Sequence, residues 1–219
     1  YGEALVLLPD FAPLYYSRAL SNLKRDPALG LADLNACLRL DPGHAKAWFE
    51  RGVLKEGRGD DAGAMADYTD AIGSEAHFVD ALFARALLRE RSRNFVGAKE
   101  DYLAVLEATP NDAMTLVNLG SVLKRSGEPK AALERYTAAV GADPSYLMGW
   151  IARAQLLYAE KQYAAAAKDF TEAMQRDERP LLQVNRAMAR KYSGDIDGAR
   201  EDLKHVLSTV DPSDRQAIR

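Results

Sequence analysis

The sequence predicts an all-α fold: an α-solenoid in which antiparallel helix pairs stack one upon the next. Three observations point to it. One short pattern of small and aromatic residues returns every 34 residues, which is how a repeat architecture shows itself. Alanine, the best helix former, fills 37 of the 219 positions. Glycine (15) and proline (9) are too sparse for a sheet protein that turns roughly every 8–12 residues.

The pattern is a small residue, then Asp or Arg three positions on, an aromatic ring or Leu next, and a small residue after three more. It reads Gly30-Leu-Ala-Asp-Leu-Asn-Ala-Cys37, Ala64-Met-Ala-Asp-Tyr-Thr-Asp-Ala71, Ala98-Lys-Glu-Asp-Tyr-Leu-Ala-Val105, Ala132-Leu-Glu-Arg-Tyr-Thr-Ala-Ala139 and Ala166-Ala-Lys-Asp-Phe-Thr-Glu-Ala173, each starting 34 residues after the last. Ala199-Arg-Glu-Asp-Leu-Lys-His-Val206 follows after 33. Pro42, Pro110 and Pro144 keep the same beat, with Pro212 one residue late, and proline at these points separates one unit from the next. The units are 11–44, 45–78, 79–112, 113–146, 147–179 and 180–212, forming a single array over 11–212. Residues 1–10 read as the remnant of a preceding repeat, and 213–219 as the start of a further helix or a tail. The chain begins at Tyr1 rather than Met, so it is read as a fragment or a processed product. A cytoplasmic location is the default expectation, with any N-terminal targeting segment removed or never present.

Each unit holds two helical stretches. In the second unit Trp48, Arg51, Gly52 and Lys55 mark the first helix. Ala64, Tyr68 and Ala71, four and three apart on one face, mark the second. Breaks between helices fall at Arg25-Asp26-Pro27, Gly57-Arg58-Gly59-Asp60-Asp61, Gly127-Glu128-Pro129 and Gly194-Asp195. Pro129 suits a first helical turn, where its missing N–H costs nothing. The small residues let paired helices approach closely and the rings fill the space between successive pairs. No single pair can bury its apolar face alone, so neighbours must stack.

A 34-residue helix–turn–helix unit with Trp or Leu early, a small residue four later, then Ala, a ring, Ala and Pro, resembles the tetratricopeptide repeat. Trp48-x-x-x-Gly52, Leu116-x-x-Leu-Gly120 and Trp150-x-x-x-Ala154 carry the first half of that signature. The resemblance implies a right-handed superhelix whose first helices line a concave groove. It places Tyr15, Phe49, Phe83, Val117 and Ile151 on that groove, with Tyr16, Glu50, Asn118 and Asn185 beside them. Val53, Leu87, Ser121 and Gln155 lie one turn on. The large side chains should form a semi-continuous apolar stripe. Family members that bind chaperone tails hold the carboxylate with a clamp of Lys and Asn. Here Tyr15, Phe49 and Phe83 occupy the sites where such a Lys is needed, which speaks against that mode. An asparagine ladder is not supported either, because only Asn118 and Asn185 fall on its line.

The units depart from the pattern in places. Gln183 stands where Trp or Leu is expected, and Arg18 where Gly or Ala is expected; both units are terminal and should pack more loosely. Arg51, Arg85, Arg153 and Arg186 share one site of the first helix, and Asp67, Asp101, Asp169 and Asp202 stand sixteen residues after them. Leu119 and Arg135 replace the two together in the fourth unit, and in the first Asp33 is matched by the displaced Arg18. These residues are read as structural ion pairs, since a bidentate Arg–carboxylate bond fixes how helices dock. Arg89, Arg91, Arg93, Lys124 and Arg125 cluster at the ends of first helices, where cations suit the helix dipole.

Composition excludes several functions. One cysteine builds neither a disulfide framework nor a Cys-based zinc site. His44, His77 and His205 are too scattered to pair as ligands, so no metal and no cofactor is expected. There is no catalytic triad, no Cys–His pair and no phosphate-cradling glycine loop; Cys37 takes a small core slot, and no catalytic residue is assigned. The net charge of −3, with 17 acidic and 13 basic groups in residues 1–109 and 15 and 16 in the rest, argues against nucleic acid. No apolar run reaches the roughly 18–20 residues that span a bilayer. The expected function is a non-enzymatic protein–protein interaction scaffold, binding a partner peptide or helix in its groove. The alternative is a regulatory or substrate-docking region of a larger multidomain protein or enzyme. An uncapped end leaves a homo-oligomer open.

Overall fold

A computed structural model describes residues 2–209. The expected further helix over 213–219, and Pro212, lie outside the described residues. Those described form thirteen α-helices and no strand, and the chain divides into two compact units, Tyr1–Ala108 and Thr109–Arg219. In unit 1 the short α1 (Gly2–Leu7) precedes three pairs: α2 (Ala12–Asn22) with α3 (Pro27–Leu40), α4 (Ala45–Gly57) with α5 (Asp61–Ser74), and α6 (Val79–Arg91) with α7 (Phe95–Ala108). Unit 2 pairs α8 (Ala113–Arg125) with α9 (Pro129–Ala142), α10 (Leu147–Ala159) with α11 (Tyr163–Met174), and α12 (Pro180–Ser193) with α13 (Ile196–Thr209). The connections inside a pair are too short for anything but an antiparallel return.

The turn chemistry explains these boundaries. Asp26, Asp60 and Asp112 each accept a hydrogen bond from a backbone N–H of the first turn, at 3.0, 2.9 and 2.8 Å, which satisfies an otherwise orphaned donor. In five of the six pairs, all but α2–α3, one turn residue takes the left-handed conformation. Gly59, Gly127 and Gly194 do so freely, whereas Arg93 and Lys161 hold φ of 62° and 60° at the same point of the repeat. Arg93 is therefore a turn residue with a strained backbone, and not simply one member of a basic cluster.

Packing follows the spacer-and-ring logic. Tyr68, Tyr102, Tyr136 and Phe170 are all buried, one per pair, and each such ring is worth about 3–5 kcal/mol when deleted from a core. A Cβ on Gly52 would come within 2.6 Å of the Tyr68 ring, and one on Gly120 within 2.5 Å of the Tyr136 ring. Only a hydrogen side chain allows those helices to approach so closely. The indole N–H groups of Trp48 and Trp150 donate to the carbonyls of Pro42 and Pro144 at 2.8 and 2.9 Å, tying each first helix to the linker before it. Gln183, the polar departure in the last unit, is buried too.

Candidate functional site

Five of the six first helices, all but α8, are held at a set rotation by charge. Arg51 donates through Nε and Nη2 to the two oxygens of Asp67 at 2.8 and 2.7 Å. Arg85 does the same to Asp101 at 3.0 and 2.7 Å, and Arg153 to Asp169 at 2.7 and 2.8 Å. Arg186 grips Asp202 and the displaced Arg18 grips Asp33 in the same bidentate way. The remaining Nη1 reaches back to the preceding second helix: Arg51 to Asn35 at 2.8 Å, Arg85 to Thr69 at 3.2 Å and Arg186 to Thr171 at 3.3 Å. One guanidinium thus clamps three helices. A second cation one turn on completes several of these carboxylates, Lys55 at Asp67, Arg89 at Asp101 and Arg190 at Asp202. Sequence reasoning missed that second cation. Its type changes between units, and Leu157 replaces it in α10. Arg89 and Arg91 are consequently committed internally, Arg91 to Glu56 and Asp61.

In unit 1 the face formed by α2, α4 and α6 carries the residues expected to line a groove. Tyr16 packs at a tilt against His44 with ring centroids 4.6 Å apart, and Arg18 lies over Tyr15. Phe49 packs between Tyr68 and Phe78 at 5.7 and 5.3 Å, and Phe83 sits against Tyr102 at 5.7 Å. The two phenylalanines form a half-buried floor. What rises from it is Val53, 43% exposed, and Leu87, 41% exposed. Glu50 lies between Tyr16 of α2 and Asp80 of α6. Burial, and then the Asp80 charge, push its carboxyl above the usual range. Among the described residues neither Glu50 nor Asp80 has a hydrogen bond or an ion pair. Glu56 and Glu90 on the same face accept the phenol protons of Tyr68 and Tyr102 at 2.7 and 3.3 Å.

In unit 2 the expected stripe is covered. Val117 and Ile151 are only 5% and 8% exposed, because these shorter side chains sink into the core where Phe would stand proud. Ser121 is engaged with the Val117 carbonyl at 3.1 Å and the Tyr136 hydroxyl at 3.3 Å, and Asn118 is half-buried. Between α10 and α12, however, a cleft of about 320 Å³ brings Gln155 and Asn185 together with Tyr158, Phe170 and Met188. Two amides, each able to donate and accept, face an apolar wall of rings and a pliable thioether. Phe170 was legible as a core ring; Tyr158 and Met188 belong to no repeated pattern.

Cys37 is fully buried, and burial, with Asp41 adding, pushes its thiol up to about 11. The thiol is protonated at neutral pH and a poor nucleophile. Among the described residues no group of His, Cys, Asp and Glu is placed to hold a metal ion, and no helix is long and apolar enough to cross a membrane.

A sequence model of the tetratricopeptide repeat (TPR) matches residues 24–77 and 117–180, more than half of the chain. No curated protein matches it by sequence. Among solved structures, PilF of Pseudomonas aeruginosa is similar at a TM-score of 0.72 and 20% identity, over 95% of this chain and 97% of that one. A TPR protein of Parabacteroides merdae is similar at 0.73 and 18% identity, over 92% and 80%. YrrB, described as a TPR protein with an unusual peptide-binding site, is similar at 0.68 and 18% identity, over 80% and 91%. At these identities the likeness speaks to the fold, tandem helix pairs of one design. With the repeat's own sequence model covering more than half of its length, this chain belongs to the tetratricopeptide repeat family.

Proposed function

We propose that the chain binds a segment of a partner protein on its first-helix faces, and that the cleft between α10 and α12 takes an apolar side chain of that segment. TPR membership supports a protein-interaction scaffold in general, and such repeat proteins are in general not enzymes. The observation that carries the finer reading is the 320 Å³ cleft, where Gln155 and Asn185 border Tyr158, Phe170 and Met188. An apolar recess rimmed by a few convergent polar groups is the usual form of a binding site. The amides are placed to hydrogen-bond partner backbone, and the rings and Met188 to cover a leucine-sized or aromatic anchor. In unit 1, Tyr15, Tyr16, Phe49, Glu50, Val53, Phe83 and Leu87 belong to the same reading. In unit 2, Val117, Asn118, Ser121 and Ile151 support the face from beneath. YrrB's described peptide-binding site lends this reading support by fold likeness.

Site-specific photo-crosslinking tests it. A benzophenone amino acid at Gln155, on the face, is compared with one at Lys168 on the exposed side of α11. Partner segments should crosslink at 155 and not at 168, and Met188→Glu should remove the signal by placing a charge at the cleft. Equal yields at both positions, or yields at 155 indifferent to Met188→Glu, would overturn the assignment.

A further inference from the structure

We infer that the first-helix face of unit 1 takes a partner segment in which a cationic side chain is flanked by apolar ones. The cation seats against Glu50 and Asp80, and the apolar side chains cover Val53 and Leu87. The inference rests on the segment-binding reading above and names the chemistry of what is bound.

Four carboxylates stand on this face, and two are already satisfied. Glu56 takes the Tyr68 phenol and Arg91, and Glu90 takes the Tyr102 phenol. Glu50 and Asp80 have neither kind of partner among the described residues. Glu50 is also half-buried, so it lacks much of the hydration an isolated carboxylate needs, and the charge that acts on it, that of Asp80, is of its own sign. On α4 and α6 every cation but one is already engaged. Arg51 and Lys55 are bound to Asp67, Arg85 and Arg89 to Asp101, and Arg91 to Glu56 and Asp61. The exception is Lys46, one turn before Glu50 on α4, which is exposed and among the described residues makes no ion pair, with Glu50 or any other carboxylate. A Lys or Arg arriving from outside relieves the repulsion and restores the lost solvation in one contact, while Val53 and Leu87 leave water together. An acidic segment meets the opposite result, so the same pair discriminates between partners.

The test uses the whole chain and two fluorescent probes followed by anisotropy. One is a short amphipathic helical peptide with leucines on one face and lysines beside them; the other is the same peptide with each lysine replaced by glutamine. The lysine probe should bind at least roughly tenfold more tightly, with a salt-sensitive association. Glu50→Gln/Asp80→Asn should erase that preference. Asp70→Asn/Glu107→Gln, which removes equal charge from exposed sites on α5 and α7, should leave it intact. Equal binding of the two probes, no binding of the lysine probe, or equal loss in the control variant overturns the inference. Binding that Met188→Glu abolishes and Glu50→Gln/Asp80→Asn leaves untouched sinks the acidic anchor and keeps the cleft. The reverse result sinks the cleft and keeps the anchor.

Discussion

Glu50 is a residue whose charge is out of balance with its surroundings. Tyr16 flanks it from α2, Asp80 from α6 and Lys46 from its own helix, and its carboxyl is raised chiefly by burial and secondarily by Asp80. A raised carboxyl means that the folded protein binds this proton more tightly than the unfolded chain does. Folding stability from this site is therefore lost as pH rises from the ordinary carboxylate range through the raised value. Glu50→Gln should melt at a higher temperature than wild type at pH 7, and the two should converge as pH falls below the ordinary carboxylate range. A calorimetric pair of pH series would show it; a variant less stable at pH 7, or a gap that ignores pH, would refute it. Single residues are also where the sequence was least readable. Phe49, Phe83, Val117 and Ile151 are equivalent by period, yet the first two stand half-buried and the last two are covered. Period assigns a side chain to a face, whereas its size and its neighbours decide how far it rises from that face.

At the scale of elements, the question is what sets the rotation of each first helix. The bidentate arginine does so in α2, α4, α6, α10 and α12, bonding forward to its own second helix. The α8–α9 pair manages without it, burying Leu119 at the arginine's place. That natural replacement accords with the general finding that a buried ion pair and a well-packed apolar residue can be nearly equivalent, while half a pair is costly. Asp169→Ala leaves the mostly covered Arg153 guanidinium without its carboxylate and should cost about 3–5 kcal/mol in urea unfolding. Arg153→Leu/Asp169→Ala should recover most of that loss. Additive losses in the double variant would refute this, because additivity means that the two side chains are not energetically coupled. The sixteen-residue spacing made the paired residues visible in sequence because one residue type returns at one interval. The bonds back to Asn35, Thr69 and Thr171 join an amide and two hydroxyls, and no single letter marks that role. The turn residue shows the same limit, since Arg93 and Lys161 adopt what glycine adopts at Gly59, Gly127 and Gly194.

On the scale of the whole molecule, the 34-residue beat runs unbroken through the point where the chain divides. Nothing in Ala98-x-x-x-Tyr102 or Pro110 distinguishes that junction from the others, so the boundary between Ala108 and Thr109 could not be read from periodicity. Each side nevertheless has the means to fold. Repeat arrays need about three units before neighbour stacking covers enough apolar surface, and each compact unit contains three helix pairs. Unit 1 buries Leu34, Cys37, Tyr68 and Tyr102; unit 2 buries Leu119, Tyr136, Leu156, Phe170 and Val206. Each also has its own arginine clamps and its own kind of face, carboxylates with Val53 and Leu87 in the first, amides with rings in the second. Residues 1–108 and 109–219 produced separately should therefore each give a helical circular dichroism spectrum and a cooperative urea transition. The lysine-bearing probe should bind the first piece, and the Gln155 crosslinker should capture partner segments from the second. A piece that unfolds without cooperativity would show that its core depends on residues of the other. Two folded pieces that bind nothing would refute the assignment of a separate binding face to each unit.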